Sequence, residues 1–339
     1  MSVTFCLQRI PVILASVGIA ATAFVAPAAP TGNPVYADPA QVDEDFAVQG
    51  EYVGEIVTDG QPLMLGVQVV AEGDGTFALV AYPGGLPGAG WAAPEKIVGK
   101  GRREGGRVVF EGVDRGGVTR SGEIRDGKLV ALNADGQPLA TLAKVTRTSP
   151  TLGKEPPEGA IRIFEGRGTG GLAGGRMTED GLLMEGVTTE REFGDATWHI
   201  EFRLPYQPKD RGQARGNSGA YLLGSYEVQM LDSFGLEGRD NECGGIYKAA
   251  PPKVNMCLPP LSWQTYDIDV TAPKFENGAK VSNARMTVRH NGVLIHDQVE
   301  IPGGTPGGPK KMEGPTGPLF LQNHGNPVRY RNIWVLPKS

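Results

Sequence analysis

Short apolar runs alternating with polar residues, interrupted at close intervals by glycine and proline, make up the chain beyond its N-terminal segment. The 50 Gly and 27 Pro punctuate these runs, and none keeps a helical period for several turns. The pattern predicts an all-β protein. Between Phe46 and Arg147 the runs LMLGVQVVAE, GTFALVAYP, RVVFEG, SGEIRDGKLVAL and PLATLAKVTR are separated by turn pairs such as Asp74-Gly75, Gly105-Gly106 and Asp126-Gly127. A small antiparallel β domain over residues 38–147 follows. Residues 148–160, TSPTLGKEPPEGA, break the alternation and are expected to be a linker. From residue 161 to 339 longer strand candidates return, with more aromatics and histidines, and two facing antiparallel sheets are the natural way to bury them.

The alternation also singles out side chains that the core does not explain. In YEVQM, Tyr226, Val228 and Met230 take one face while Glu227 and Gln229 take the other. In ATWHIEFRL, Ile200, Phe202 and Leu204 oppose His199, Glu201 and Arg203. If both strands share a sheet, His199, Glu201, Glu227 and Gln229 gather on one concave face. PLFLQNH adds Gln322 and His324, and the return of the chain adds Arg329 and Arg331. In RGNSG, Gly216 and Gly219 permit close approach to a ligand, with Arg215 at the rim and Asn217 beside it. Tyr221, Tyr247 and Trp263 are candidate sugar-stacking faces. Trp334 is expected in the core, and His290 and His296, flanking the Asn291-Gly292 turn, are expected to be exposed bystanders.

Composition narrows the setting. Arg9, the apolar run from Ile10 to Ala29, and Ala37 before Asp38 read as a signal peptide over residues 1–37, so a periplasmic or extracellular protein is expected. Cys6 leaves with that segment, and an oxidising compartment favours a disulfide between Cys243 and Cys257. The formal net charge is -5 without a basic run, which excludes a nucleic-acid partner. No cofactor is required by any motif. Asp232, Glu237, Asp240 and Glu242 crowd one loop and leave a divalent ion such as calcium open near Asp232, though they lack the spacing of a calcium-binding loop.

The stretches HIEFRLP, RGNSGAYLLGSYEVQMLDSFG, GGIYK, PPLSWQTYDIDVTAPKF, TVRHNGVLIHDQVE and GPLFLQNHGNPVRYRNIWV resemble the 3-keto-disaccharide hydrolase family, and they span residues 161–337. The resemblance implies a concanavalin A-like jelly-roll sandwich. It also implies action on sugars whose C3 hydroxyl has been oxidised to a ketone, with release of the group at the anomeric carbon and an upstream sugar 3-oxidase. Family members often carry Asp where this chain has Asn323. For such chemistry Glu227 or His199 is the expected base, Arg215, Gln229 or Asn217 the enolate stabiliser, and His324 or Glu201 the acid. Tyr247, Gln322 and Arg329 would bind the sugar. Two other readings stay open: a laminarinase-type retaining glycosidase using Glu227 and Asp232, and a carbohydrate-binding module without chemistry.

Overall fold

Met1 and residues 32–58, 60–92 and 94–338 are described by the computed structural model, so Cys6, Arg9 and the run from Ile10 to Ala29 lie outside the described residues. The alternating runs of the first half form eight strands: β1 (Gly50–Thr58), β2 (Gln61–Gly73), β3 (Thr76–Pro83), β4 (Ile97–Glu104), β5 (Arg107–Val113), β6 (Thr119–Arg125), β7 (Lys128–Leu132) and β8 (Pro138–Val145). Each pairs with its sequence neighbour, and β8 returns to β1 to close a barrel. Asp74 and Asp126 take the positive φ that their turns demand. Tyr52, Val69, Phe77, Val108, Phe110 and Leu142 belong to the apolar cluster inside.

The second half is a two-sheet sandwich. One sheet holds β9 (Ile161–Phe164), β11 (Leu183–Met184), β13 (Ala196–Arg203), β16 (Trp263–Thr271), β17 (Ala284–His290), β18 (Val293–Ile301) and β20 (Arg329–Pro337). Its order is β9-β20-β13-β16-β17-β18, with β11 also on β20. The other holds β10 (Leu172–Ala173), β12 (Val187–Thr189), β14 (Ser218–Leu222), β15 (Tyr226–Met230) and β19 (Phe320–Leu321), in the order β10-β12-β19-β14-β15. Trp198, Ile200 and Phe202 from β13 meet Ala220, Leu222, Tyr226, Val228 and Met230 from β14 and β15 in one buried cluster. The fold is therefore the jelly-roll sandwich expected from the sequence, preceded by a closed barrel.

The expected linker is a packed strap. Ser149 and Thr151 bond the Thr265 hydroxyl at 2.6 and 2.7 Å, Thr151 donates to Asp267, and Gly153 donates its N–H to Glu201. Lys154 accepts at its carbonyl from the Trp334 indole at 3.1 Å. Trp334 is buried, as expected, but under this strap on the outside of the sheet rather than between the sheets.

Two further expectations are corrected. Cys243 and Cys257 are buried free thiols rather than a disulfide. The Cys243 sulfur lies 3.3 Å from the Tyr266 hydroxyl, the Cys257 thiol donates to the carbonyls of Leu231 and Leu258, and the two thiols also interact with each other. His290 and His296 are not exposed bystanders. The Asn291-Gly292 turn forms as read, with positive φ at both residues, but the hairpin is overlaid by the 244–264 segment. His290 Nε2 lies 3.0 Å from Gln264 Oε1 and His296 Nε2 lies 2.7 Å from the Gly244 carbonyl. Burial lowers the pKa of both rings, His290 to about 3.

Candidate active site

β14 and β15 pair so that Tyr221 stands opposite Glu227 and Gly219 opposite Gln229. Because Ala220, Leu222, Tyr226, Val228 and Met230 turn inward, these four positions, which alternate with them, face away from the sandwich core. Tyr221, Glu227 and Gln229 floor a pocket of about 170 Å³, walled by Gln213 and Asn217, by Pro306 and Gly307, and by Tyr247, Gln322 and His324. Its size suits one sugar unit. Glu227 supplies the one carboxylate among the described residues that line it.

The carboxyl group is held in an unusual setting. Burial pushes its pKa up to about 7, against the lowering effect of the Tyr221 hydroxyl. That hydroxyl lies 2.7 Å from Glu227 Oε2 and 2.7 Å from the Pro306 carbonyl. It has one proton and two acceptors. With Glu227 ionised, Tyr221 donates to the carboxylate; with Glu227 protonated, the acid donates to Tyr221, which turns to Pro306. Both protonation states are satisfied, as an acid–base group requires.

Beside it, the amide groups form a chain. Asn217 Nδ2 donates to Gln213 Oε1 at 3.1 Å, and Gln229 Nε2 donates to the same oxygen at 3.0 Å. This arrangement leaves Asn217 Oδ1 and Gln229 Oε1 buried without a partner in the protein. Two orphaned acceptors in a polar pocket are suited to ligand hydroxyls. Gln322 is anchored by its backbone N–H to the Gly219 carbonyl and carries its side-chain amide to 3.4 Å from the Tyr221 hydroxyl. His324 is exposed at the rim.

The sequence thus leads to Glu227, Gln229, Asn217, Tyr247, Gln322 and His324, and the structure brings these together. His199 and Glu201 are elsewhere, a correction to the single concave face expected. They turn outward from the other sheet: His199 pairs with Asp267 and Trp334 across the strands, and Glu201 with Thr265 and Arg331. His199 stacks on Trp334, with ring centroids 5.2 Å apart, and lies 3.0 Å from Asp267 and 3.5 Å from Glu201. Burial opposes its charge, but the two carboxylates outweigh it and raise its pKa. Burial likewise opposes ionisation of Glu201, yet His199, Asn332, Arg331 and the Gly153 N–H bring it down to about 2. This network fastens the strap.

Three other candidates have structural partners. Arg215 is not at a rim: it is buried, donating to Asp232 at 2.6 Å and to the Ala71 carbonyl of β2 at 3.4 Å, so it ties sandwich to barrel. Arg329 donates to Glu185. Trp263 lies outside the pocket, with the Arg331 guanidinium 4.1 Å from its ring centroid. Asp232, Glu237 and Glu242 are engaged by Arg215, Lys96 and the N–H groups of Gly238 and Arg239. Among the described residues no acidic or histidine cluster converges as metal ligands do. Asn323 Oδ1 caps the Gly325 N–H in a turn, a task that Asp performs equally. Gln213 and Pro306 were not legible as site residues, since Gln213 sits in a short 3₁₀ turn and Pro306 in a glycine-rich loop.

A family profile described as a 3-keto-alpha-glucoside-1,2-lyase-like domain matches residues 153–336, more than half of the chain. The chain belongs to this family. That membership makes it a carbohydrate-active enzyme, and the Glu227 pocket lies inside the matched region. A solved candidate glycosyl hydrolase from Parabacteroides distasonis is 32% identical, over 54% of this chain and 85% of its own, with a TM-score of 0.49. A second from the same organism is 18% identical over 54% of this chain and 95% of its own, with a TM-score of 0.40. No curated protein matches.

Proposed function

We propose that the protein is an exported enzyme that cleaves 3-keto-glycosides by removing the C2 proton and eliminating the group at C1. The observation that carries this reading is a lone buried carboxylate, Glu227, held near neutrality in a sugar-sized polar pocket. A ketone at C3 acidifies the C2 proton. Glu227 takes that proton, and the electron pair of the broken C–H bond moves toward the C3 oxygen as an enolate. The Gln322 amide and the Tyr247 hydroxyl are the donors for that oxygen, while Asn217 Oδ1 and Gln229 Oε1 accept from sugar hydroxyls. Collapse of the enolate breaks the C1–O bond, and His324 at the rim protonates the departing oxygen. The product is an unsaturated keto sugar; later addition of water makes the outcome a hydrolysis. The substrate is supplied by a reaction that oxidises the C3 hydroxyl.

A retaining displacement requires two carboxyl groups about 5.5 Å apart across the bond, and Asp232, the second one considered, is bound to Arg215. Elimination requires one. The test is to incubate the protein with a glucoside and with its 3-keto form and follow aglycone release, then repeat with the C2-deuterated keto substrate. Release from the keto form alone, with a primary isotope effect or exchange at C2, supports elimination. Equal cleavage of both forms rejects it.

A further inference from the structure

The barrel is packed at one end and hollow at the other. An eight-stranded barrel has an interior that side chains just fill, or that holds one small ligand when they do not. Here Tyr52, Phe77, Val108 and Leu142 fill one half. Toward the turns that join β1 to β2, β5 to β6 and β7 to β8, the inward positions become small, among them Ala81, Gly112, Gly122 and Ala131. Gly112 and Gly122 allow close strands, since an added Cβ at either would lie 2.9 Å from a neighbouring carbonyl. Ala81 and Ala131 have no such excuse, and a larger apolar residue there would complete the core.

The result is a cavity of about 390 Å³ walled by Leu65, Val67, Leu79, Phe110 and Leu129, within the range of roughly 300–1,000 Å³ usual for small-molecule sites. Its mouth pairs apolar and charged groups. Leu63 and Leu139, which line it, are exposed, as are Val57 and Val118, each next in sequence to a strand-end residue (Thr58, Thr119). Arg120 and Arg115 stand at the opening, bonded to Asp114 and Glu95 at 2.7 and 3.5 Å.

We propose that the barrel binds the apolar chain of a single-chain amphiphile, a fatty acid or a lysolipid, with its tail in the cavity and its polar head among Arg115 and Arg120 at the mouth. The apolar depth accepts a hydrocarbon tail and rejects a sugar, whose hydroxyls would find no partners on that wall. Burial of each methylene of the tail against that wall favours binding. The site is separate from the Glu227 pocket and stands whether or not that pocket eliminates glycosides.

The test is fluorescence titration of the full chain with N-phenylnaphthylamine, followed by displacement with dodecanoate or a lysophospholipid. Saturable enhancement with one equivalent per chain, reversed by either competitor, is the expected result. Displacement by dodecanoate alone assigns a free acid, and displacement by both assigns a lipid tail. Ala131→Trp, which fills the cavity, should weaken probe binding at least ten-fold while its far-ultraviolet circular dichroism is retained. Should that variant misfold, Ala131→Leu should give a smaller loss in the same direction. Absence of saturable binding, or equal binding by the filled variant, overturns the proposal.

Discussion

Gly219 leaves the space that the Glu227 carboxyl occupies: a Cβ built at residue 219 would lie 2.1 Å from Glu227 Oε1. The nearest obstacle is the carboxyl itself, so the side chain has to move. Gly219→Ala should therefore displace Glu227 from Tyr221 and lower kcat on the keto substrate by about 100-fold, the contribution of one positioned acid–base group, with the fold intact by circular dichroism. Unchanged kcat would show that the carboxyl position is immaterial.

Glu227→Gln preserves shape and removes the base. Turnover should fall by roughly 100-fold or more, with substrate affinity measured by calorimetry little altered. A variant that binds and turns over like the wild type would remove Glu227 from the chemistry.

The pH profile has a defined sign. Glu227 must be ionised to act as base, so kcat/KM should rise with pH through about 7. Tyr221 lowers that pKa by its hydrogen bond, so Tyr221→Phe should move the limb to higher pH. The same raised pKa costs stability: its contribution is fully present below the ordinary value of 4.5 and is lost as pH rises through about 7. Glu227→Gln should accordingly melt higher than the wild type at alkaline pH.

Alternation identified which side chains leave the core in β13 and β15, because a strand repeats every two residues whatever sheet it joins. It could not tell that these strands belong to different sheets, whose outer faces lie on opposite sides of the sandwich. His199 and Glu227 share a sequence signature and nothing else. Likewise, the Asn291-Gly292 turn was readable from its dipeptide, but the segment that buries His290 arrives from some 30 residues away, as in the Asn291–Met256 contact with its sequence separation of 35. The sequence offers Tyr221 as a stacking face; the role of its hydroxyl depends on Pro306, in a loop that periodicity does not describe.

Glu201→Gln tests the strap. The network it breaks is buried on one side and screened on the other, so a loss of about 3 kcal/mol is expected, read as a lower melting temperature with kcat unchanged. In the wild type the Glu201 contribution is present above the ordinary value of 4.5 and is lost as pH falls through about 2. A drop in kcat without a change in melting would return Glu201 to the active site.

The thiols give a count. Titration of unreduced, denatured protein should find the two sulfhydryls of Cys243 and Cys257 if they remain as the fold holds them. A count of zero would show a bridge.

The order in which the strands pair sets a timetable for folding. Every barrel pairing but the β1–β8 closure joins sequence neighbours, so that domain can complete its strand pairings while the rest of the chain is still being synthesised, although Tyr206 and Leu261 join its core only later. The larger sandwich sheet cannot do so. Its final strand, β20, lies between β9 and β13, and β9 has no other partner in the sheet. The last nine residues of sheet to leave the ribosome, Arg329–Pro337, are a seam rather than an edge, and until they arrive β13 presents one open side and β9 two.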